Sequence, residues 1–473
     1  MPVTATQSSA TRTEKDSMGP MEVPRDALWG ASTQRAVLNF PVSGMPLPAE
    51  FLRSLGLVKW AAATANKELK LLPKDVADAI AEAARSIYEG KNLEHFPLDV
   101  FQTGSGTSTN MNANEVIARL ASQRLGKPVH PNDHVNFCQS SNDVIPTTMH
   151  VAAVLQIEEE LLPGLRHLHK CLVGKSKEFD GVVKVGRTHL QDAVPVRLGQ
   201  EFGGYARMVE LGMERVKATL VGLLEVAQGG TALGTGLNAH PNFGRKVAAK
   251  LKEATGYGFR EAENHFEAQG ARDAYVFCAG ALDTVAASLM KIANDVRLMG
   301  SGPDCGLGEL LLPAIQPGSS IMPGKVNPVI CESVTMVCAH VTGNNTAVRI
   351  GGQWGQLDLN VMLPMMAHNL LESIRLLGNV SRVFVDKCLA DTKANVDRAT
   401  GNVERSLSMA TALNPLIGYD KAAQIAKTSQ KEKKTVREIA YRDSGLTKDQ
   451  VDKALDPKKQ TEPSADRVAS GGG

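Results

Sequence analysis

The chain has 473 residues, 43% of them hydrophobic and 22% charged, and its 52 basic and 50 acidic residues leave a net charge of +2. This length accommodates two or three domains and a large core, while the near-neutral charge gives no electrostatic case for binding nucleic acid or a membrane surface. No apolar run reads as long enough to span a bilayer, and seven scattered cysteines without a C-x-x-C fit reduced thiols in a cytoplasmic protein. The cysteines have no iron–sulfur spacing, and Pro131 separates His130 from His134, so no metal or other cofactor is expected.

In chain order, residues 1–17 read as a disordered tail without the apolar centre of a signal peptide. Residues 18–141 read as a mixed, mostly helical domain, with helices near 49–69 and 74–89. Residues 142–395 read as a central domain of five long helices. From Thr147 to Val173, Val151, Leu155, Leu162, Leu165, Leu168 and Leu172 recur at helical spacing, and Pro163-Gly164 predicts a kink. Further long helices are predicted over 198–226, over 274–299 (with Phe277, Val285, Leu289, Ile292, Val296 and Met299 on one face), after Asn327 as a cap with Pro328 in the first turn, and over 363–389. Residues 396–463 form a small helical C-terminal domain, and 464–473 a second disordered tail. Strand signals are sparse and no repeat is found. The wide apolar faces fit burial against other subunits or a monomeric five-helix bundle; periodicity does not choose between these.

Polar, glycine-rich segments interrupt the helices. The segment Gln316–Pro328 holds three prolines and two glycines, so it is a loop, yet it carries Ser319, Ser320, Lys325 and Asn327. Its Gly-x5-Gly-Lys-Val spacing does not fit a phosphate loop, and neither Gly104-x-Gly106 nor Gly234-x-Gly236 completes a dinucleotide fingerprint. Thr103–Asn112 offers neutral donors suited to a carboxylate. Ser140-Ser141-Asn142-Asp143 reads as a helix cap or a binding segment. Gly186–Asp192 contains His189. Gly229–Pro241 reads as a structural connector between helices.

Taken together, these segments resemble the class II fumarases of the fumarase/aspartase superfamily. The run GSSIMPGKVN over 318–327 matches that superfamily's signature loop. The resemblance extends from about Asp16 to Ala423, through HFPLDVFQTGSGTSTNMNANEV, HPNDHVN, QSSND, GRTHLQDA, GGTALGTGLNAH and LNPLIGYDKAA. Pro323-Gly324-Lys325, Ser140-Ser141-Asn142, Trp29-Gly30 and Gln102–Thr107 are fumarase-like, whereas Val329 and Asn414-Pro415 lean towards aspartase.

The resemblance implies an all-α, three-domain fold whose central helices form a 20-helix core in a homotetramer, with each active site built from three subunits. It implies reversible hydration of fumarate to L-malate. Ser319 would be the base that removes the carbon-bound proton, and His189, paired with Glu332, would activate water. Substrate carboxylates would bind Ser105, Gly106, Thr107, Ser140, Ser141, Asn142, Thr188, Ser320, Lys325, Val326 and Asn327. Lys127, His130, Pro131, Asn132 and Asp133 match a peripheral anion site of the family, with a loop-structuring role as the alternative; at Lys127 many relatives have arginine. Rival readings are an aspartate ammonia-lyase and a non-catalytic structural protein of the same fold.

Overall fold

The structure, a computed structural model, describes residues 10–468. Residues 1–9 and 469–473, parts of the two expected tails, lie outside the described residues. The rest of the first tail is not disordered. Strand β1 (Thr11–Asp16) pairs antiparallel with β2 (Gly19–Pro24). The Arg12 guanidinium donates to the carbonyls of Pro24, Arg25 and Trp29 at 2.7–2.8 Å, and Arg35 holds Asp16 at 2.8 Å. Gly19, at φ +117°, permits the tight reversal. At the other end, Ala465–Arg467 forms a single 3-10 turn.

The rest of the described chain is predominantly helical, as expected. Its first half holds α1 (Ala31–Asn39), α2 (Ala49–Glu68), α3 (Lys74–Tyr88), α4 (Thr107–Leu125), α5 (Ser141–Gln156) and α6 (Leu162–Glu178). The hairpin β3 (Val183–Thr188) and β4 (Gln191–Arg197) precedes α7 (Leu198–Leu223), α8 (Phe243–Thr255), α9 (His265–Gly270) and α10 (Asp273–Met299). Then come α11 (Val329–Gly352), α12 (Leu363–Phe384), α13 (Val396–Arg405), α14 (Asn414–Ile417), α15 (Tyr419–Glu432), α16 (Val436–Asp443) and α17 (Lys448–Ala454).

Three features differ from the sequence reading. The irregularity expected at Pro163 falls one turn earlier, as a π-helical turn over Ile157–Leu161 between α5 and α6. Pro163 has no N–H to return to residue 159, so the preceding turn widens to i+5 bonding. Secondly, α10, 27 residues long, is by length and composition long and apolar enough to cross a bilayer. Its Leu282, Val285, Leu289, Ile292 and Val296 are nevertheless buried in the fold, while Phe277, assigned to the same face, is 57% exposed. Thirdly, α11 begins at Val329, two residues after Asn327, whose side-chain Nδ2 donates back into the preceding loop, as described below.

Contacts divide the chain into two compact units, and all five internal boundaries fall inside α6, α7, α10, α11 and α12. One unit takes the chain up to Pro163 with Met213–Ala286 and Ala339–Gly378. In it, α2 packs on α3, α5 and α8 through buried Phe51, Leu55, Val58, Ile80, Ile87 and Ile145. Gly56 lets α2 and α3 approach closely, since a Cβ there would lie 2.7 Å from the Tyr88 nitrogen. The other unit takes Gly164–Gly212, Ala287–Cys338 and the chain from Asn379 on. There, Val183 and Val185 of β3 share a core with Val403, Met409, Leu413, Ile425, Ile439 and Leu455.

Candidate active site

In the first unit, two helix starts meet. Gly106, at φ +71°, turns the chain into α4, and Gly104 lies so close to the Val361 carbonyl that a Cβ would sit 1.8 Å from its oxygen. The Gly104 carbonyl accepts from the Leu363 N–H at 2.9 Å. Both glycines are needed for this path, the first for space and the second for its left-handed conformation. The path carries Ser105 and Thr107 to the start of α5. The Ser105 and Thr107 hydroxyls lie 2.7 Å apart, Thr107 and Ser141 2.8 Å apart, and Ser141 donates to Asn142 Oδ1 at 3.3 Å. Four sequence-predicted residues thus form one hydroxyl–amide chain.

Ser140 does cap α5. Its Oγ accepts from the Asn142 N–H at 3.2 Å, while Asp143 Oδ1 accepts from the Ser140 N–H at 2.9 Å, completing a capping box. The cap and the binding reading are compatible, because accepting at Oγ leaves the Ser140 hydroxyl proton free to donate. Asn142 Nδ2 donates to the Ala232 carbonyl at 2.7 Å. The supposed connector after Gly229 is therefore fastened to this group.

The peripheral residues make hydrogen bonds within their own turn. His130 Nδ1 accepts from the N–H groups of Asn132 and Asp133 at 3.3 and 3.0 Å, capping a π-helical turn over Pro131–Val135. Lys127 is turned away to an ion pair with Asp75.

In the second unit, Thr188 and Gln191 are paired across a two-residue turn made of His189 and Leu190. Both turn residues have positive φ, 57° and 59°, the backbone of a type I′ hairpin usually filled by Asn or Gly. The exposed imidazole is thus presented from a tip that L side chains rarely adopt, the kind of local strain found at functional sites. A buried ion network anchors the hairpin: Arg187 grips Glu309 with both terminal nitrogens at 3.0 and 2.8 Å, and Lys184 lies 3.1 Å from Glu201 and 3.3 Å from Glu309.

The same unit contains the 316–328 loop, closed on itself. The Gly318 N–H donates to the Lys325 carbonyl at 2.9 Å, and Asn327 Nδ2 donates to the Gly318 carbonyl at 2.8 Å. Gly318 is required by space, since a Cβ would lie 2.3 Å from the Lys325 oxygen. Inside this closure, Ser319 Oγ accepts from the N–H groups of Ile321 and Met322 at 3.2 and 3.0 Å. Two backbone donors converge on one serine oxygen, an arrangement that stabilises negative charge there. Ser320, Lys325 and Val326 are exposed, and a cleft of 760 Å³ borders the loop along Gly324–Pro328. Among the described residues, neither His189 nor Glu332 has a side-chain hydrogen bond, so their expected pairing is not made within the chain.

The chain matches a family described as "Lyase" over residues 19–343 and "Fumarase C C-terminus" over 409–462. It is 54% identical over 465 residues to fumarate hydratase class II of Methylorubrum extorquens, covering 97% of this chain and 98% of the relative. The chain belongs to the class II fumarases. It is also 53% identical to the mitochondrial fumarate hydratase of Rattus norvegicus, over 96% of this chain and 90% of that protein. A crystal structure of the class II fumarase of Schistosoma mansoni superposes with a TM-score of 0.93 at 40% identity, over 96% of this chain and 99% of that one. Membership in the class II fumarases makes this chain a lyase with the all-α fold of that family.

Sequence reasoning missed, as parts of the first group, Asp143, the 229–232 segment and Lys59, which donates to Asn136 Oδ1 and Gln139 Oε1 just before Ser140. The capping-box spacing Ser140-x-x-Asp143 was the available signal for Asp143. Nothing local marks Lys59, which lies on the buried face of α2.

Proposed function

We propose that this class II fumarase hydrates fumarate to L-malate and dehydrates malate in reverse. The carrying observation is the Ser319 oxygen held by two backbone N–H groups, in a loop that also bears Lys325. The reaction's difficulty is the weak acidity of a C–H beside a carboxylate. Removing that proton drives a further negative charge into a group already charged, so the site needs donors where this charge develops. A normal serine is too weak a base. The Ile321 and Met322 amides favour its alkoxide, and Lys325 adds a full positive charge.

In this reading Ser319 takes the carbon-bound proton. His189 protonates the leaving hydroxyl, or activates water in the hydration direction, and Glu332 orients it. Because the single chain leaves His189 and Glu332 unpaired, their pairing is assigned to neighbouring subunits. Ser105, Gly106, Thr107, Ser140, Ser141 and Asn142 bind substrate carboxylate; a carboxylate oxygen takes the place of Asn142 Oδ1 as acceptor when the hydroxyl chain rotates. Thr188, Ser320, Val326 and Asn327 complete the binding set. Lys325 and the loop amides do the electrophilic work, so the chemistry runs without a metal. The enzyme is a homotetramer with three chains contributing to each site, and it works in the cytoplasm as part of the tricarboxylic acid cycle. Exposed Phe277, Val221, Met336 and Ile350 on long helices support self-association.

Ser319→Ala decides the chemistry. Fumarate absorbance followed with L-malate and, separately, L-aspartate should show turnover of malate only, lost by about a thousandfold or more in the variant, with unchanged circular dichroism. Turnover of aspartate identifies the ammonia-lyase, turnover of neither a structural protein, and a variant with near-normal kcat removes Ser319 from the mechanism. Sedimentation of a stable, active monomer rejects the assembly.

A further inference from the structure

Two buried charges lie behind the Ser140–Asn142 segment and take no part in the mechanism above. Asp143, fully buried, accepts from Ser140 N–H through Oδ1 at 2.9 Å. Its Oδ2 accepts from the N–H groups of Gly229 and Thr231 at 3.1 and 3.0 Å. Lys59, 1% exposed, donates to Asn136 Oδ1 at 2.9 Å and to Gln139 Oε1 at 3.1 Å. The lysine thus braces the turn that leads into Ser140, and the aspartate ties Ser140 to a segment some ninety residues away. That segment is held at two further points. Gln269 donates to the Thr231 carbonyl at 2.9 Å, and the Ala232 carbonyl receives the Asn142 amide at 2.7 Å.

The energetics explain why this clamp is specific. Burial pushes the Asp143 carboxyl up, and after the opposing pull of three N–H donors and Lys59 it stands at about 6. Burial likewise pushes Lys59 down to about 7, against the attraction of Asp143. The two groups make no direct ion pair, so each buried charge depends on its own donors or acceptors being in place, which makes the arrangement strict about geometry. Such strictness is useful where an amide must be aimed. Asn142 Nδ2 gives one proton to Ala232, which fixes the amide plane and leaves the other proton in a set direction.

We propose that Asp143 is a positioning residue for substrate binding: by holding the Gly229–Ala232 segment against the start of α5, it sets the direction in which Ser140, Ser141 and Asn142 present their donors to a substrate carboxylate. Lys59 is its counter-charge and holds the approach to Ser140. The 229–232 segment thereby becomes a supporting wall of the binding site instead of a connector. This inference rests on the reading that the Ser140–Asn142 donors bind carboxylate.

Steady-state kinetics on the full-length assembled enzyme, with malate and fumarate, test it through four variants. Ser141→Ala and Asn142→Ala probe the direct contacts. Asp143→Asn keeps the shape but turns N–H groups towards one set of donors. Gln269→Met frees the same segment at the Thr231 carbonyl without touching the buried charges. A positioning role raises KM about tenfold in Asp143→Asn and Gln269→Met, with kcat per folded active site changed less than about threefold. A merely structural role lowers the active fraction and leaves KM alone. If Asp143→Asn folds with wild-type KM while Ser141→Ala and Asn142→Ala raise it, the positioning role is overturned. If Asp143→Asn does not fold, Gln269→Met decides: a raised KM supports the proposal and an unchanged one overturns it. If neither direct-contact variant moves KM, the carboxylate reading itself fails and the positioning role falls with it.

Discussion

The Asn327 amide donates to the Gly318 carbonyl at 2.8 Å, nine residues back along the chain, and so closes the loop that presents Ser319. This closure depends on the absence of a side chain at Gly318, where a Cβ would lie 2.3 Å from the Lys325 oxygen. The loop must therefore open if alanine is placed there. Gly318→Ala is expected to lower kcat/KM about a hundredfold, because the two amides on Ser319 lose their alignment. Its melting temperature should stay near wild type, since the loop is largely exposed. Malate kinetics beside a thermal melt check this; normal kcat/KM would show that closure does not matter.

His189 should show activity and stability moving in opposite directions. Asparagine adopts the left-handed conformation of a type I′ turn more readily than histidine does. His189→Asn is expected to lower kcat by about a hundredfold or more through loss of the imidazole. The melting temperature should hold or rise slightly. A large fall in melting temperature would contradict the turn geometry, whatever the activity.

Glu309 is fully buried between Arg187 and Lys184 and anchors the hairpin that carries His189. Glu309→Gln leaves two cations facing a neutral group in a dry site. The expected loss is about 3 kcal/mol, visible as a shifted denaturant midpoint. An unchanged midpoint would mean that the network is not holding the hairpin.

His150 sets a pH limit on stability. Its Nδ1 bonds the Glu225 carbonyl at 2.6 Å, its ring stacks on Tyr275, and burial pushes it down to about 3 from the usual 6.5. The folded state then binds fewer protons than the unfolded chain between those two values. Stability from the neutral ring is present above about pH 6.5 and is lost as pH falls towards 3. His150→Gln should flatten the fall in unfolding free energy over this window, measured by denaturant titration at several pH values. A slope equal to wild type would assign the acid sensitivity to other groups.

Much of the fold was legible locally. The long helices announce themselves because Val151, Leu155, Leu162, Leu165, Leu168 and Leu172 recur at helical spacing. The 316–328 loop is legible because its prolines and glycines forbid a helix. The β1–β2 hairpin was not, since its support comes from Arg12 reaching the Trp29 carbonyl. Nor was the hold of Asp143 on Gly229 and Thr231, which joins residues with no shared period or motif. The loop closure by Asn327 Nδ2 was not legible either, because its acceptor, the Gly318 carbonyl, lies nine residues back with no local pattern joining the two.

Sequence alone determined where the long helices run, that 316–328 is a loop, and which residue types that loop displays. These depend on side-chain periodicity and on the backbone limits of proline and glycine, both set within a few residues. Tertiary structure decided how those residues are used: that Ser319 receives two amides, that His189 occupies a left-handed turn, and that a buried aspartate joins two loops. Hydrogen bonds between sequence-distant groups carry that information, and they exist only once burial has made every unpaired donor and acceptor costly.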